Sequence, residues 1–207
     1  MKIKVSCIQT NSFISPTENI NHVNTLIKKA IKKKPDLICL PECVGIFSDD
    51  KNKLNNFCRN ENLFLNFIKD FSKKYKVHFI IGSLPFIKSN KKFLNRSLVI
   101  NNNGQVIAEY DKINLFNVKL NSKEKYLESK LYDSGKKIKV VSLPWGKLGL
   151  SICYDIRFPN LYKKLAKNGA DFLSIPAAFT KTTGKAHWHS LIRSRAIENG
   201  CFVFAPA

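Results

Sequence analysis

No apolar run in the sequence approaches the roughly eighteen residues that a membrane-spanning helix needs, which excludes such a helix. The opening stretch, MKIKVSCIQT, also lacks the continuous apolar block of a secretory signal. It alternates apolar and polar residues instead, and so reads as a first strand in a cytosolic protein. Missing too is a second Cys or His pair at metal spacing to accompany Cys39 and Cys43, so no metal site is expected. The six cysteines (7, 39, 43, 58, 153 and 201) are then expected to be reduced, most of them as small buried hydrophobes. Acidic residues are few, 15 against 35 basic ones, and the net charge of +20 raises the question of a nucleic-acid partner. Arginine, the better reader of phosphates and base edges, is scarce: Arg59, Arg96, Arg157, Arg193 and Arg195 are all there are. The lysines fall in clusters such as KKAIKKK and YKKLAK, where solvated helix faces are expected, not in one stripe interleaved with aromatics. Neither a nucleic-acid nor a membrane partner is expected.

What remains is ample for a core. A chain of 207 residues with 44% hydrophobic content buries one sizeable core, and a single domain is the default count. Ser15–Glu18 (SPTE) is a capping box with proline at the first helical position, opening a helix with Ile20, Val23, Ile27 and Ile31 on one face. DLICLPE reads as a short buried strand, FSDDKNKLNNFCRN as a loop, ENLFLNFIKDFSKKY as a second helix and HFIIGSLP as a strand. FLNRSLVI and QVIAEYDK flank NNNG, a hairpin signal. Residues 113–135 show little periodicity and read as a long loop, a length that is usually functional or disordered. KIKVVSLPWGKLGLSIC supplies two strands around a Trp-Gly turn. A helix (FPNLYKKLAKNG), a strand (ADFLSIPAAF), a helix (TGKAHWHSLIRSRAIENG) and a last strand (CFVFAPA) follow. Alternation of this kind predicts a layered α/β architecture with helices covering sheets.

Three strand ends carry residues that chemistry wants and a strand interior does not: Glu42, Lys112 and Cys153. Cys153 lies where LGLSI gives way to a helix expected near Arg157 to Pro159. A sharp turn there exposes a side chain, surrounds it with backbone N–H groups and favours the thiolate. A buried structural cysteine fits the same position. The thiol needs a base, and burial at the end of an apolar strand would raise the pKa of Glu42 into a useful range. A turn or cap role for Glu42 is the plainer alternative, and His187 or His189 beside Trp188 are rival bases without a motif. A desolvated Lys112 would stabilise an oxyanion, although one lysine means little in so lysine-rich a chain.

As a set, DLICLPECVG, EYDKINLF and LGLSICYDIRFPNL resemble the Glu, Lys and Cys motifs of the nitrilase superfamily of carbon–nitrogen hydrolases. The resemblance runs from KVSCIQT to the final FVFAPA. CYDIRFP, where true nitrilases usually have Trp-Glu after the cysteine, is similar to the Nit branch of amidases, which includes ω-amidases and the amidase of deaminated glutathione. The resemblance implies a four-layer αββα sandwich over residues 1–207 and a hydrolase that needs no metal or cofactor. In it Cys153 attacks the amide carbon, Lys112 and the backbone N–H of Tyr154 hold the oxyanion, and Glu42 moves the protons. Glu128 in KYLESK matches a supporting glutamate that positions substrate and lysine. The implied substrate is a small linear amide, carboxylate-bearing by the habit of the branch, which an arginine or lysine at the pocket rim would suit.

Family members usually continue beyond the segment matching FVFAPA, so the sequence reads as lacking the usual C-terminal portion, and a homodimer or larger homo-oligomer is expected of a full-length form. His189 stands where relatives of the branch often have glutamate. Nitrile or N-carbamoyl hydrolysis, and an inactive fragment acting as an interaction module, are the competing readings.

Overall fold

The computed structural model describes residues 2–88, 92–119 and 125–207. Two sheets stack face to face. The first has five strands in the order β1 (Val5–Cys7), β2 (Leu37–Cys39), β3 (His78–Ile87), β4 (Phe93–Ile100) and β5 (Val106–Asp111). Its first three strands are parallel and the β3–β4–β5 part is antiparallel. A small antiparallel pair follows in the chain, β6 (Asn117–Lys119) and β7 (Lys125–Leu127). The second sheet contains β8 (Val140–Leu143), β9 (Gly146–Leu150), β10 (Phe172–Ser174) and β11 (Phe202–Phe204), in the order β11-β10-β9-β8.

Helices cover the outer faces. α1 (Pro16–Ile31), α2 (Lys51–Arg59) and α3 (Glu61–Tyr75) lie on the first sheet, where Val23, Ile27, Leu54, Phe64 and Ile68 pack against Ile38, Phe79 and Leu98. α4 (Pro159–Lys167) and α5 (Lys181–Asn199) lie on the second, with Leu161, Tyr162 and Leu165 against Leu173. Between the sheets, Leu37, Ile80, Val99 and Tyr110 meet Val141, Leu148, Leu150 and Phe204. The order of layers is therefore helix, sheet, sheet, helix, as the family resemblance implies. Among the described residues, no helix is long and apolar enough to cross a membrane.

Several local expectations hold for the reasons given. Ser15 caps α1 by accepting the Glu18 N–H, and Pro16 occupies its first turn. The NNNG turn closes with Gly104 at φ 77°. Two expectations fail. The Lys-Asn-rich stretch read as a loop forms α2, because Asp50 caps it through the N–H groups of Asn52 and Lys53 and Leu54, Phe57 and Cys58 bury one face. The long loop over 113–135 contains β6, β7 and a 3-10 turn at Glu128–Lys130, although residues 120–124 lie outside the described residues. Three-residue strands are too short to show a period.

Candidate active site

The three singled-out side chains arrive from separate elements. Glu42 sits in a turn three residues beyond β2. Strand β3 passes directly behind the Leu40–Pro41 segment, and a Cβ on Gly82 would collide with both of that segment's carbonyl oxygens. Ser83 Oγ then accepts the Cys43 N–H at 2.9 Å and pins the turn. Lys112 directly follows β5, its N–H donating to the Asn95 carbonyl at 2.9 Å. Cys153 opens a 3-10 turn, Cys153–Arg157, that precedes α4; the α-helix begins at Pro159. Its φ of 47° is in the left-handed region, uncommon for a residue with a side chain and frequent where function demands a sharp bend. Its N–H donates to the Pro176 carbonyl at 2.8 Å, which anchors the bend to the end of β10.

These residues meet in one buried cluster. Lys112, 2% exposed, donates to Glu42 Oε1 at 2.8 Å and lies 3.0 Å from Glu128 Oε2. Glu42 also accepts from Asn95 Nδ2 at 2.9 Å and, on its other oxygen, from the Ala178 N–H at 2.9 Å. Asn95 Nδ2 reaches Glu128 Oε1 at 3.0 Å, and Glu128 Oε2 accepts the Phe116 N–H at 2.6 Å. The Cys153 thiol lies close enough to the Glu42 carboxylate for each to shift the other's titration. Glu128 thus ties the β6–β7 segment to the lysine.

The charge states differ from expectation. Burial alone pushes the Glu42 carboxyl up, but the ammonium of Lys112, with the hydrogen bonds from Lys112, Cys153 and Ala178, holds it below the usual glutamate range. The raised value expected from burial is therefore overturned by the adjacent cation. Burial likewise opposes the charge on Lys112, yet Glu42 and Glu128 lift its pKa well above the lysine range. Burial and the neighbouring Glu42 carboxylate push the Cys153 thiol well above its ordinary value, Lys112 only partly offsetting them. The turn does not deliver a resting thiolate. At neutral pH the cluster holds a neutral thiol, a carboxylate able to accept its proton, and a fixed ammonium.

The rival bases lie elsewhere. His187 Nδ1 is 3.2 Å from Arg157 Nη2, and His189 is exposed on α5. Arg157 is half-buried, its guanidinium 5.8 Å from the Tyr154 ring centre and 5.6 Å from that of Phe179. Phe116 meets Tyr154 edge-on at 5.2 Å. The sequence reading missed Asn95, which bridges the two glutamates from within β4; a polar residue at an inward strand position was the available signal. It also missed Asp155, wholly buried two residues after the cysteine. Among the described residues, no group of three or more His, Cys, Asp or Glu is placed to hold a metal ion.

Comparison with known proteins identifies the family and the fold. The family model described as carbon-nitrogen hydrolase matches residues 4–207. The chain is 38% identical over 206 residues to the deaminated glutathione amidase of Synechocystis, covering 98% of this chain and 76% of that protein. It is 33% identical to the omega-amidase NIT3 of Saccharomyces cerevisiae, over 98% of this chain and 72% of that one. The crystal structure of yeast Nit3 superposes with a TM-score of 0.85 at 29% identity, over 99% of this chain and 76% of that one. The NitFhit protein of Caenorhabditis elegans superposes with a TM-score of 0.92 at 34% identity, over 99% of this chain and 51% of the longer fusion. With the family match running nearly end to end and amidases recurring among its relatives, the chain belongs to the carbon–nitrogen hydrolases of the nitrilase superfamily, in their amidase-type Nit branch.

Proposed function

We propose that residues 1–207 act as one hydrolase domain that cleaves a small linear amide through a thioester on Cys153. The observation that carries this reading is the convergence of a thiol, a carboxylate and an ammonium in one buried site, Lys112 2.8 Å from Glu42 with Cys153 buried beside them. Glu42 takes the thiol proton as sulfur attacks the amide carbon, so no free thiolate is needed beforehand. The resulting oxyanion is stabilised by the Lys112 ammonium and the Tyr154 N–H, the first donor after the nucleophile in the turn. Glu42 returns its proton to the leaving nitrogen, ammonia departs, and a thioester remains. Water, deprotonated by Glu42, then adds to the thioester; the carboxylic acid leaves and the thiol is restored. Glu128 and Asn95 hold Glu42 and Lys112 in register throughout.

The substrate is an amide that also carries a carboxylate. Arg157 supports this: it is a cation four residues beyond the nucleophile, braced by Tyr154 and Phe179. Relatives called deaminated glutathione amidase and omega-amidase agree with that class. The test is ammonia release from a panel of primary amides with and without a carboxylate, using the parent and Cys153→Ala. Release from the carboxylated members only, abolished in Cys153→Ala, is expected. Release that survives in Cys153→Ala overturns the covalent route, and equal turnover of neutral amides overturns the substrate class.

A further inference from the structure

The mechanism above asks Lys112 and Cys153 to face one carbonyl oxygen and carbon, yet they come from different sheets. One carboxylate joins their two segments. Asp155 Oδ2 accepts the Tyr110 hydroxyl at 2.7 Å and the Ile152 N–H at 2.9 Å. Its Oδ1 accepts the Asn114 backbone N–H at 2.9 Å and the Asn114 side-chain amide at 2.8 Å. Tyr110 and Asn114 lie two residues to either side of Lys112, while Ile152 immediately precedes Cys153. All four hydrogens point at a side chain with no measurable exposure.

We propose that Asp155 is a positioning residue for the hydrolysis, fixing the spacing of Lys112 and Cys153 by holding Tyr110 and Asn114 with one side and Ile152 with the other. This inference rests on the covalent reading under Proposed function. A carboxylate suits the task because it accepts at both oxygens and donates at neither. Asparagine in the same place turns an N–H toward one of the two backbone N–H groups, Ile152 or Asn114, in either orientation of its amide. That conflict lies on the path between the two reacting groups. Buried networks of this kind are coupled, so one mismatched member displaces the others.

A second hydrogen-bonded tyrosine provides the control. Tyr162 shares a 2.8 Å bond with Ser151 Oγ, buried beside the same turn, but its hydroxyl is not among the four groups that Asp155 accepts from. The probe is iodoacetamide, itself a small primary amide. Its saturable alkylation of Cys153, followed by peptide mass, separates the binding constant from the maximal rate of bond formation. In that step the carbon–sulfur bond forms, iodide leaves and the thiol proton passes to Glu42. For Asp155→Asn, the maximal rate is expected to fall about tenfold or more with the binding constant within about twofold, the pattern of a lost alignment. Tyr110→Phe should show the same split at smaller size. Tyr162→Phe should lower the melting temperature while leaving the maximal rate within about twofold of the parent. If Asp155→Asn does not fold, the two tyrosine variants carry the comparison. Equal rate losses in Tyr110→Phe and Tyr162→Phe at matched loss of melting temperature overturn the positioning role. A parent in which Cys153 reacts no faster than the other five thiols overturns the covalent reading instead.

Discussion

At Lys112 two carboxylates share one ammonium that is itself almost fully buried. Replacing it by methionine leaves Glu42 and Glu128 facing each other without a cation. Removal of one partner from a buried ion pair typically costs about 3–5 kcal/mol, and removal of one oxyanion donor about 10²–10³-fold in turnover. Lys112→Met is therefore expected to unfold at lower denaturant and to lose kcat by that order; a near-parent kcat would remove Lys112 from the mechanism. The pH profile follows from the same contacts. Glu42 must be ionised to accept the thiol proton, and its pKa is held down, so the acid limb of kcat/KM lies below the usual glutamate range. Cys153 and Lys112 are both held up, so neither titrates near neutrality. A flat profile from about pH 5 to pH 8 is expected, and a limb near the histidine value of about 6.5 would return the base to the His187 region. The three candidate residues stood out in the sequence as chemistry-bearing side chains at strand ends, but only the resemblance of their three motifs as a set separated them from plainer structural roles. Their charge states were not legible, since each pKa depends on partners that only the fold brings together.

At the scale of elements, legibility followed period and length. α1 was readable from its cap and apolar spacing and α3 from apolar spacing alone, whereas α2 was hidden by KNKLNN, whose burial depends on only three residues. β6 and β7 give three residues each, and nothing local distinguishes them from loop. Gly82 is the element-scale device that the site most depends on. It lets β3 run against the Leu40–Pro41 backbone immediately before Glu42, at the point where the β3–β4 register shifts between Ile81 and Leu84. Gly82→Ala forces two backbones apart, a strain of about 1–3 kcal/mol by the usual cost of overpacking. The displaced turn carries Glu42 and Cys43, so activity should fall further than stability alone explains. Ammonia release at a temperature where the variant is fully folded measures this, and parent-like kcat there would show that the turn tolerates the shift.

Across the whole molecule, the site is divided between the two sheets. Glu42, Asn95 and Lys112 belong to the first, whereas Cys153 and the Ala178 N–H belong to the second. The layered arrangement was legible from the alternation of elements, but not this division, because sequence order does not reveal which strand ends face each other across an interface. One consequence separates inner from outer packing. Ile80 is fully buried in the layer between the sheets, and Ile27 is equally buried between α1 and the first sheet. Truncating either to alanine removes the same atoms and typically costs about 2–5 kcal/mol. The cavity left at Ile80 loosens the contact that sets the separation of Glu42 from Cys153, whereas the cavity at Ile27 lies on the far side of the first sheet. Ile80→Ala is therefore expected to lose several-fold more kcat than Ile27→Ala once the two are compared at equal fraction folded. Thermal unfolding with ammonia release on both variants makes the comparison. Equal kcat losses would mean that the relative placement of the sheets does not depend on the layer between them.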